Sequence, residues 1–475
     1  MRLLLILPLL GGLTACSLTP TLQRPDAPVP ARFPVIAEAA ASALPANVVG
    51  WRTMFRDPRL QRLIELALEN NRDLRLAALN VQAAQALADI QDSAALPAVG
   101  LEATSTRERV QSTDADSRAS QTLTHQAGVN VAFELDLFGR VRALSAAALA
   151  RYLASELGRD AVQISLVGAV AEAYFAQRLA AEQMHLTEQT LADWQQSLVL
   201  VRLLKQAEQN SSLDVAQAEG QVALAEAELE ARRRAVAQAD NALQLLVGSE
   251  LPEDLPAALP LERQPVIAQL PAGLPADLLL SRPDLRQAEQ MLVAANADIG
   301  AARAAFFPQI SLTAAFGYAS GSLGGLFDPA RQVWRFAPHI SQPLFQGGRL
   351  RTELRLAEVR KSEAVVQYEL AIQTAFREVA DALAGMASFD RQIEAQRRAV
   401  RASERSLELS DLRYRAGVSN RLELLDAQRQ LHVVKQALLE LRRAEISNRV
   451  ALYKSLGGGL YEHDAKEIAI VSVAP

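Results

Sequence analysis

Motifs recur in this chain about two hundred residues apart, and that duplication constrains the fold more than any single element. Asn71-Arg72-Asp73-Leu74 is matched by Ser281-Arg282-Pro283-Asp284-Leu285. Asp73 lies 24 positions before Pro97, and Asp284 lies 24 positions before Pro308. Leu137-Phe138-Gly139-Arg140 is answered by Leu344-Phe345-Gln346-Gly347-Gly348-Arg349. At an offset of 209, Ser212–Val215 align with Arg421–Leu424, and Ala242–Gly248 with Ala451–Gly457. The apolar register repeats as well. Leu424, Leu431 and Leu438 alternate with Ala427, Val434 and Leu441, and the same offset gives Val215, Val222, Leu229, Ala218, Ala225 and Arg232. Five of these six earlier positions are apolar at coiled-coil spacing. Two copies of one plan, each rich in long helix, are therefore predicted.

Each copy reads as helix, strand pair, long helix, helix. In the first, residues 58–248, a helical segment from Pro58 to Ala95 ends at Pro97. Strands follow at 98–110 and 123–137, with apolar or small residues at alternate positions (Leu101, Ala103, Ser105; Val129, Val131, Phe133). Their polar linker is Gln111 to Gln121. With no proline between Pro97 and Pro252, a helix is predicted from Arg140 to about Gln206, on the order of 100 Å at 1.5 Å per residue. A turn at Asn210-Ser211-Ser212 leads to a second helix, and Gly248 is placed as its C-cap. Residues 249–282 form a proline-rich connector with Pro252, Pro256, Pro260, Pro265, Pro271 and Pro275. The second copy, 283–457, predicts a helix over 283–306, strands at 309–320 and 333–345 joined by a glycine-rich loop, and a helix over 349–414. The seam of that last helix is Val365, Tyr368, Ile372, Phe376, Val379, Leu383 and Met386. Residues 458–475 are a tail.

The chain opens with a targeting segment. Met1-Arg2 precedes an apolar run from Leu3 to Leu10, too short to span a bilayer, so residues 1–15 read as a cleaved signal. Leu13-Thr14-Ala15-Cys16 resembles the bacterial lipobox. Cys16, the one cysteine in 475 residues, is then the acylated mature N-terminus, and residues 16–57 are a lipidated extended segment. An ordinary signal cleaved near Ala15 is the other reading. No later stretch supplies about 18 consecutive apolar residues, so any crossing of a membrane must be made by β-strands. A net charge of −5 without a basic block excludes nucleic acid as an expected partner. The isolated histidines (His125, His185, His339, His432 and His463) give no metal-ligand spacing, and no cofactor is expected beyond the lipid on Cys16.

Four antiparallel strands cannot close around a lumen. An open sheet in hydrocarbon leaves edge groups unpaired, at several kcal/mol each. Barrels begin at about eight strands, so copies of the chain must share a wall, and three copies supply twelve strands.

Four segments carry a resemblance. They are Ser281–Glu289 (SRPDLRQAE), Ala301–Leu312 (AARAAFFPQISL), Pro343–Arg349 (PLFQGGR), and Arg413–Arg429 (RYRAGVSNRLELLDAQR). Together they are similar to TolC-type outer-membrane factors of the OprM/NodT-like lipoprotein subgroup, over nearly the whole mature chain. The resemblance implies a mainly α fold with a transmembrane β-barrel portion: a homotrimer with a twelve-stranded barrel and a helical periplasmic tunnel. It implies an exit duct in the outer membrane, joined through a periplasmic adaptor to an inner-membrane pump of RND type. It maps a periplasmic gate onto Arg413, Tyr414, Leu422, Asp426 and Arg429, with leucines meeting at the threefold axis and arginine–aspartate bonds between adjacent helices. The adaptor-contact turns become Asn210, Ser211, Gly417 and Ser419. The first copy departs from this pattern, with Leu204, Lys205, Glu208 and Gln217 in place of Arg413, Tyr414, Gly417 and Asp426.

Two other functions fit parts of the chain: a periplasmic adaptor, or a coiled-coil lipoprotein without a pore. Adaptors carry one hairpin where this chain has two, and a poreless lipoprotein has no use for strand pairs in register with the repeat. An enzyme is the least supported class, because no nucleophile–histidine arrangement or phosphate-cradling loop occurs.

Overall fold

A computed structural model describes residues 17–30, 33, 46–110, 120–267 and 282–464. The expected signal segment with Cys16, residues 111–119 between the first two strands, 268–281 of the connector and the residues from 465 lie outside the described residues. The chain folds into two units, one of Met1–Asp26, Asn80–Glu156 and Gln287–Glu369, the other of Ala27–Leu79, Leu157–Arg286 and Leu370–Pro475.

The first unit holds a four-stranded antiparallel sheet in the order β1-β2-β3-β4: β1 Ala98–Val110, β2 Ser120–Leu135, β3 Gln309–Ser320 and β4 Gln332–Ser341. Two strands end earlier than the sequence suggests. β2 stops at Leu135 rather than 137, because Asp136 turns to accept from the Arg142 N–H at 2.9 Å while the Leu137 N–H bends back to Leu135 O. β4 stops at Ser341 rather than 345, since Pro343 has no N–H for the ladder and the Gln342 side chain donates to Phe306 O at 3.0 Å. Gly128 faces Gly317 across β2 and β3, and a Cβ on either would lie within 3 Å of the other strand's backbone. Only glycine permits strands to approach so closely, a device that bends sheets.

The strand register separates two faces. One carries Val99 and Leu101, Val131 and Phe133, Ile310 and Leu312, and Trp334, Phe336 and Ile340; the paired positions Val131↔Ala314↔Phe336 and Leu135↔Ile310↔Ile340 keep them aligned. Trp334 and Ile340 stand 77% and 65% exposed. The opposite face carries Glu102, Gln126, Asn130, Glu134, Ser311, Thr313, Arg335, His339 and Ser341, with Glu134↔Ser311↔His339 in one row. β1 and β4 are edges in the single chain, and Pro338 lies on the β4 edge, where a missing N–H is tolerated.

Outside the sheet the described residues are mostly helical. The segment read as one helix from Pro58 to Ala95 is two, α2 Pro58–Asn70 and α3 Arg72–Ser93, after a short α1 Trp51–Met54. Asn71, with extended backbone, separates them. Its Oδ1 accepts from the Leu74 N–H at 2.9 Å, capping α3. α2 buries Leu60, Leu63 and Ile64, and its cap, Asp57, accepts from the Tyr174 hydroxyl at 2.6 Å. Four long helices follow the predicted course: α4 Arg140–Gln206, α5 Ser212–Val247, α7 Arg349–Arg415 and α8 Arg421–Ser455, with α6 Pro283–Ala304 before β3. The first hairpin packs as the heptads require, with Leu191, Leu198 and Val201 of α4 meeting Val215, Ala218, Val222, Ala225 and Leu229 of α5. Tyr368, Ile372, Val379 and Leu383 are buried along α7. The described part of the connector is held down: Val266 bridges Phe55, Leu261 is buried, and Pro256 O accepts from Arg59 at 3.0 Å.

Candidate functional site: the hairpin tips and the two-faced sheet

Both hairpins turn by the same motif. In α7–α8, the Gly417 N–H donates to Tyr414 O at 3.0 Å and the Val418 N–H to Arg413 O at 2.9 Å. In α4–α5, the Glu208 N–H donates to Lys205 O at 2.9 Å and the Gln209 N–H to Leu204 O at 2.8 Å. This double bond is the Schellman motif, which needs one left-handed residue. Gly417 supplies it with φ 72°; its counterpart, Glu208, is held at φ 60°. Each second helix is capped at once. Ser211 and Asp214 form a capping box, and the Asn420 side chain accepts from the Glu423 N–H at 3.1 Å.

The five expected gate residues cluster at the second tip, where Arg413, Asp426 and Arg429 each have a partner within the chain. Arg413 Nε reaches Glu423 across the hairpin at 3.1 Å. Arg429 pairs with Asp426 one turn away on α8, so this arginine–aspartate bond lies along one helix and not between two. Both side chains are more than half exposed, and such a pair contributes little within one chain. Leu422 is 49% exposed. The Tyr414 hydroxyl accepts from Asn210 Nδ2 at 3.2 Å, which ties the second tip to the first. Among the turn residues, Asn210 is therefore engaged within the chain, Ser211 caps α5, and the Ser419 hydroxyl is buried without a partner among the described residues. Gly417 has open space where a side chain would be, beside an exposed Val418.

Sequence reasoning missed two features. Arg421 is buried, with its guanidinium 5.9 Å from the Tyr414 ring centroid and donating to Ser197 Oγ at 3.1 Å, a second tie between hairpins. A polar layer also crosses the helix interior. Arg232 donates to Gln183 at 2.9 Å and pairs with Glu228; His432 meets Thr190 at 3.1 Å and Glu228 at 3.4 Å. Its signal was in the sequence: Arg232 is the one charged residue among the six heptad positions of the first copy.

The family model described as outer membrane efflux protein matches residues 63–249 and 274–458. Among curated proteins, the solvent efflux pump outer membrane protein SrpC of Pseudomonas putida is 46% identical over 462 residues, spanning 95% of this chain and 96% of that one. The cation efflux system protein CusC of Escherichia coli O6:H1 is 42% identical over 450 residues, spanning 94% and 96%. Among solved structures, the open state of the Neisseria gonorrhoeae MtrE outer membrane channel superposes with TM-score 0.87 at 40% identity, covering 94% of this chain and all of that one.

Proposed function

The chain belongs to the outer membrane efflux protein family, and we propose that it is the passive exit duct of a tripartite export system, fed by an inner-membrane pump of RND type through a periplasmic adaptor. The observation that carries this reading is the two-faced sheet with two open edges. An apolar face suits lipid, a polar face suits a water-filled lumen, and the edges β1 and β4 are satisfied when neighbouring copies pair them. Three copies give twelve strands. The adaptor and the poreless lipoprotein lose their support, since neither uses such a sheet.

In this reading Arg413, Tyr414, Leu422, Asp426 and Arg429 close the periplasmic end. Leu422 and the weakly paired Asp426 and Arg429 are exposed, free to exchange partners with those of adjacent copies. Tyr414 with Asn210, and Arg421 with Ser197, fasten one hairpin to the other, so an opening that parts the hairpins must break both. Gly417 and Val418 offer the adaptor an unobstructed surface, and lipid on Cys16 anchors the protein to the outer membrane.

The test is conductance of the purified trimer in planar bilayers. Asp426→Ala is expected to raise the closed-state conductance; an unchanged value removes Asp426 from the closure. Outer-membrane preparations should yield a heat-sensitive trimer that crosslinks to an adaptor from cysteines placed at Asn210 and Gly417, and a monomer without ion conductance refutes the duct itself.

A further inference from the structure

Where β3 and β4 meet the helices, Gln309 pairs with Ser341 on the polar face of the sheet, and there residues of the first unit line a half-open cavity of about 530 Å³. That is within the size range of small-molecule sites. Its lining is half apolar: Leu144 of α4, Ala301 and Ala302 of α6, and Leu350 and Leu356 of α7. Its other half is cationic, with Arg140, Arg151, Arg349 and Arg360 set against the carboxylates of Asp298 and Glu353. Arg151 is paired with Asp298, and Arg349 with Glu353 at 2.7 Å. Arg140 is drawn to Glu134 beside the cavity through two bonds of 3.1 and 2.7 Å. Arg360 is exposed and makes no ion pair among the described residues.

The arrangement has a chemical preference. A guanidinium binds carboxylate, sulfonate or phosphate oxygens through two parallel N–H bonds. An unpaired guanidinium above a wall of alanine and leucine therefore favours a molecule with an anionic head and a hydrocarbon body. A cation finds no free carboxylate, because Asp298 and Glu353 are already engaged. Gln309 and Ser341 lie on the face that carries Glu134, Ser311 and His339, the face that the duct reading turns to the lumen.

We propose that this cavity is a relay site inside the duct for amphipathic anions in transit, with Arg360 receiving the anionic head and Leu350 and Leu356 the hydrocarbon. The proposal rests on the duct reading, and the measurement keeps the two apart. Purified trimer is placed in planar bilayers of phosphatidylcholine, and decanoate is added on the side bearing the hairpins. Concentration-dependent interruptions of the current are expected, and none from decyltrimethylammonium at equal concentration. Arg360→Ala should raise the half-blocking concentration about tenfold, the size of one lost charge-assisted bond at a partly open site, and Arg360→Lys should recover part of it. Arg349→Gln, at the start of the same helix α7, should weaken block by a smaller factor. Each variant is assayed only as a heat-sensitive trimer with measurable current.

Equal block by both head groups, or block unchanged in Arg360→Ala, overturns the proposal. Replacing part of the phosphatidylcholine with phosphatidylglycerol identifies the source of the anion. Loss of decanoate block in that bilayer makes the cavity a lipid-headgroup site and overturns the transit role, whereas persistence supports it. A wild-type trimer that passes no current refutes the duct; one that conducts but ignores decanoate refutes the cavity alone.

Discussion

The two copies of the repeat close on themselves in the same place by different chemistry. In the first, Asn71 Nδ2 donates at 2.8 Å to Leu246 O, at the C-terminal end of α5. In the second, the residue 211 positions later, Arg282, donates from a terminal guanidinium nitrogen at 3.1 Å to Ser455 O, at the C-terminal end of α8. Leu246 and Ser455 are themselves related by the repeat offset of 209. Each clasp ties the entry of a copy to its exit, beside a left-handed glycine, Gly248 at φ 76° or Gly457 at φ 84°. The first needs only a neutral amide. The second buries a cation, which must then be held by Asp284 through bonds of 3.0 and 2.6 Å and by Glu378 at 2.8 Å. A duplicated fold thus conserves where the chain is fastened, not which residue does the fastening.

The largest expected difference between the clasps follows from that charge. Arg282→Ala leaves Asp284 and Glu378 facing each other without their cation, and a loss of about 3 kcal/mol is expected. Asn71→Ala removes one carbonyl bond and one helix cap, about 2 kcal/mol. Urea unfolding of the trimer or of its helical part would measure both. Equal losses would mean that the charged clasp has no special weight.

Acid should separate the clasps next. Burial by itself would raise the Asp284 carboxyl, but the bonds and charge of Arg282 outweigh it and hold its pKa below the ordinary value. A carboxylate depressed in the folded state contributes stability that is complete above its unfolded pKa and is lost as pH falls through its folded value. Amide exchange at the α8 end should therefore quicken as pH drops below about 4, after correction for intrinsic rates. The Asn71 clasp has no titrating group and should not respond. Asp284→Asn should abolish the difference.

The tips sharpen the same comparison at a smaller scale. Gly417→Ala forces a side chain into the left-handed region and should cost about 1 kcal/mol. Glu208→Gly relieves that strain in the first hairpin but frees the unfolded chain, so a net gain of a few tenths of a kcal/mol is expected. Thermal denaturation of the two variants would rank them, and the signs should be opposite.

How far the sequence revealed this depended on the range of the interaction. The duplication, the long helices and the α4–α5 seam were legible because periodic burial and turn signals are local. The break at Asn71 was not, since Arg72–Ser93 continues the helical pattern and the side chain's bond to the distant Leu246 carbonyl has no local signature. The five residues expected at a gate lie together at one tip because they are near in sequence. Within one chain Asp426 and Arg429 pair with each other because a helix brings them side by side at a spacing of three, before any neighbouring helix is considered. Strand ends were overrun wherever Asp136 and Pro343 stop the ladder, effects that alternation alone does not encode.

Because β1 and β4 leave their hydrogen-bonding rims bare, a solitary copy has no tolerable way to enter hydrocarbon, and removing one copy from a finished wall is equally unfavourable. Membrane entry must then be concerted, with the three chains engaged at their helices before any strand meets lipid. Once inserted, such a ring should scarcely exchange subunits: a defective chain incorporated at assembly stays for the lifetime of the pore, so a minority of damaged copies can disable most of the population.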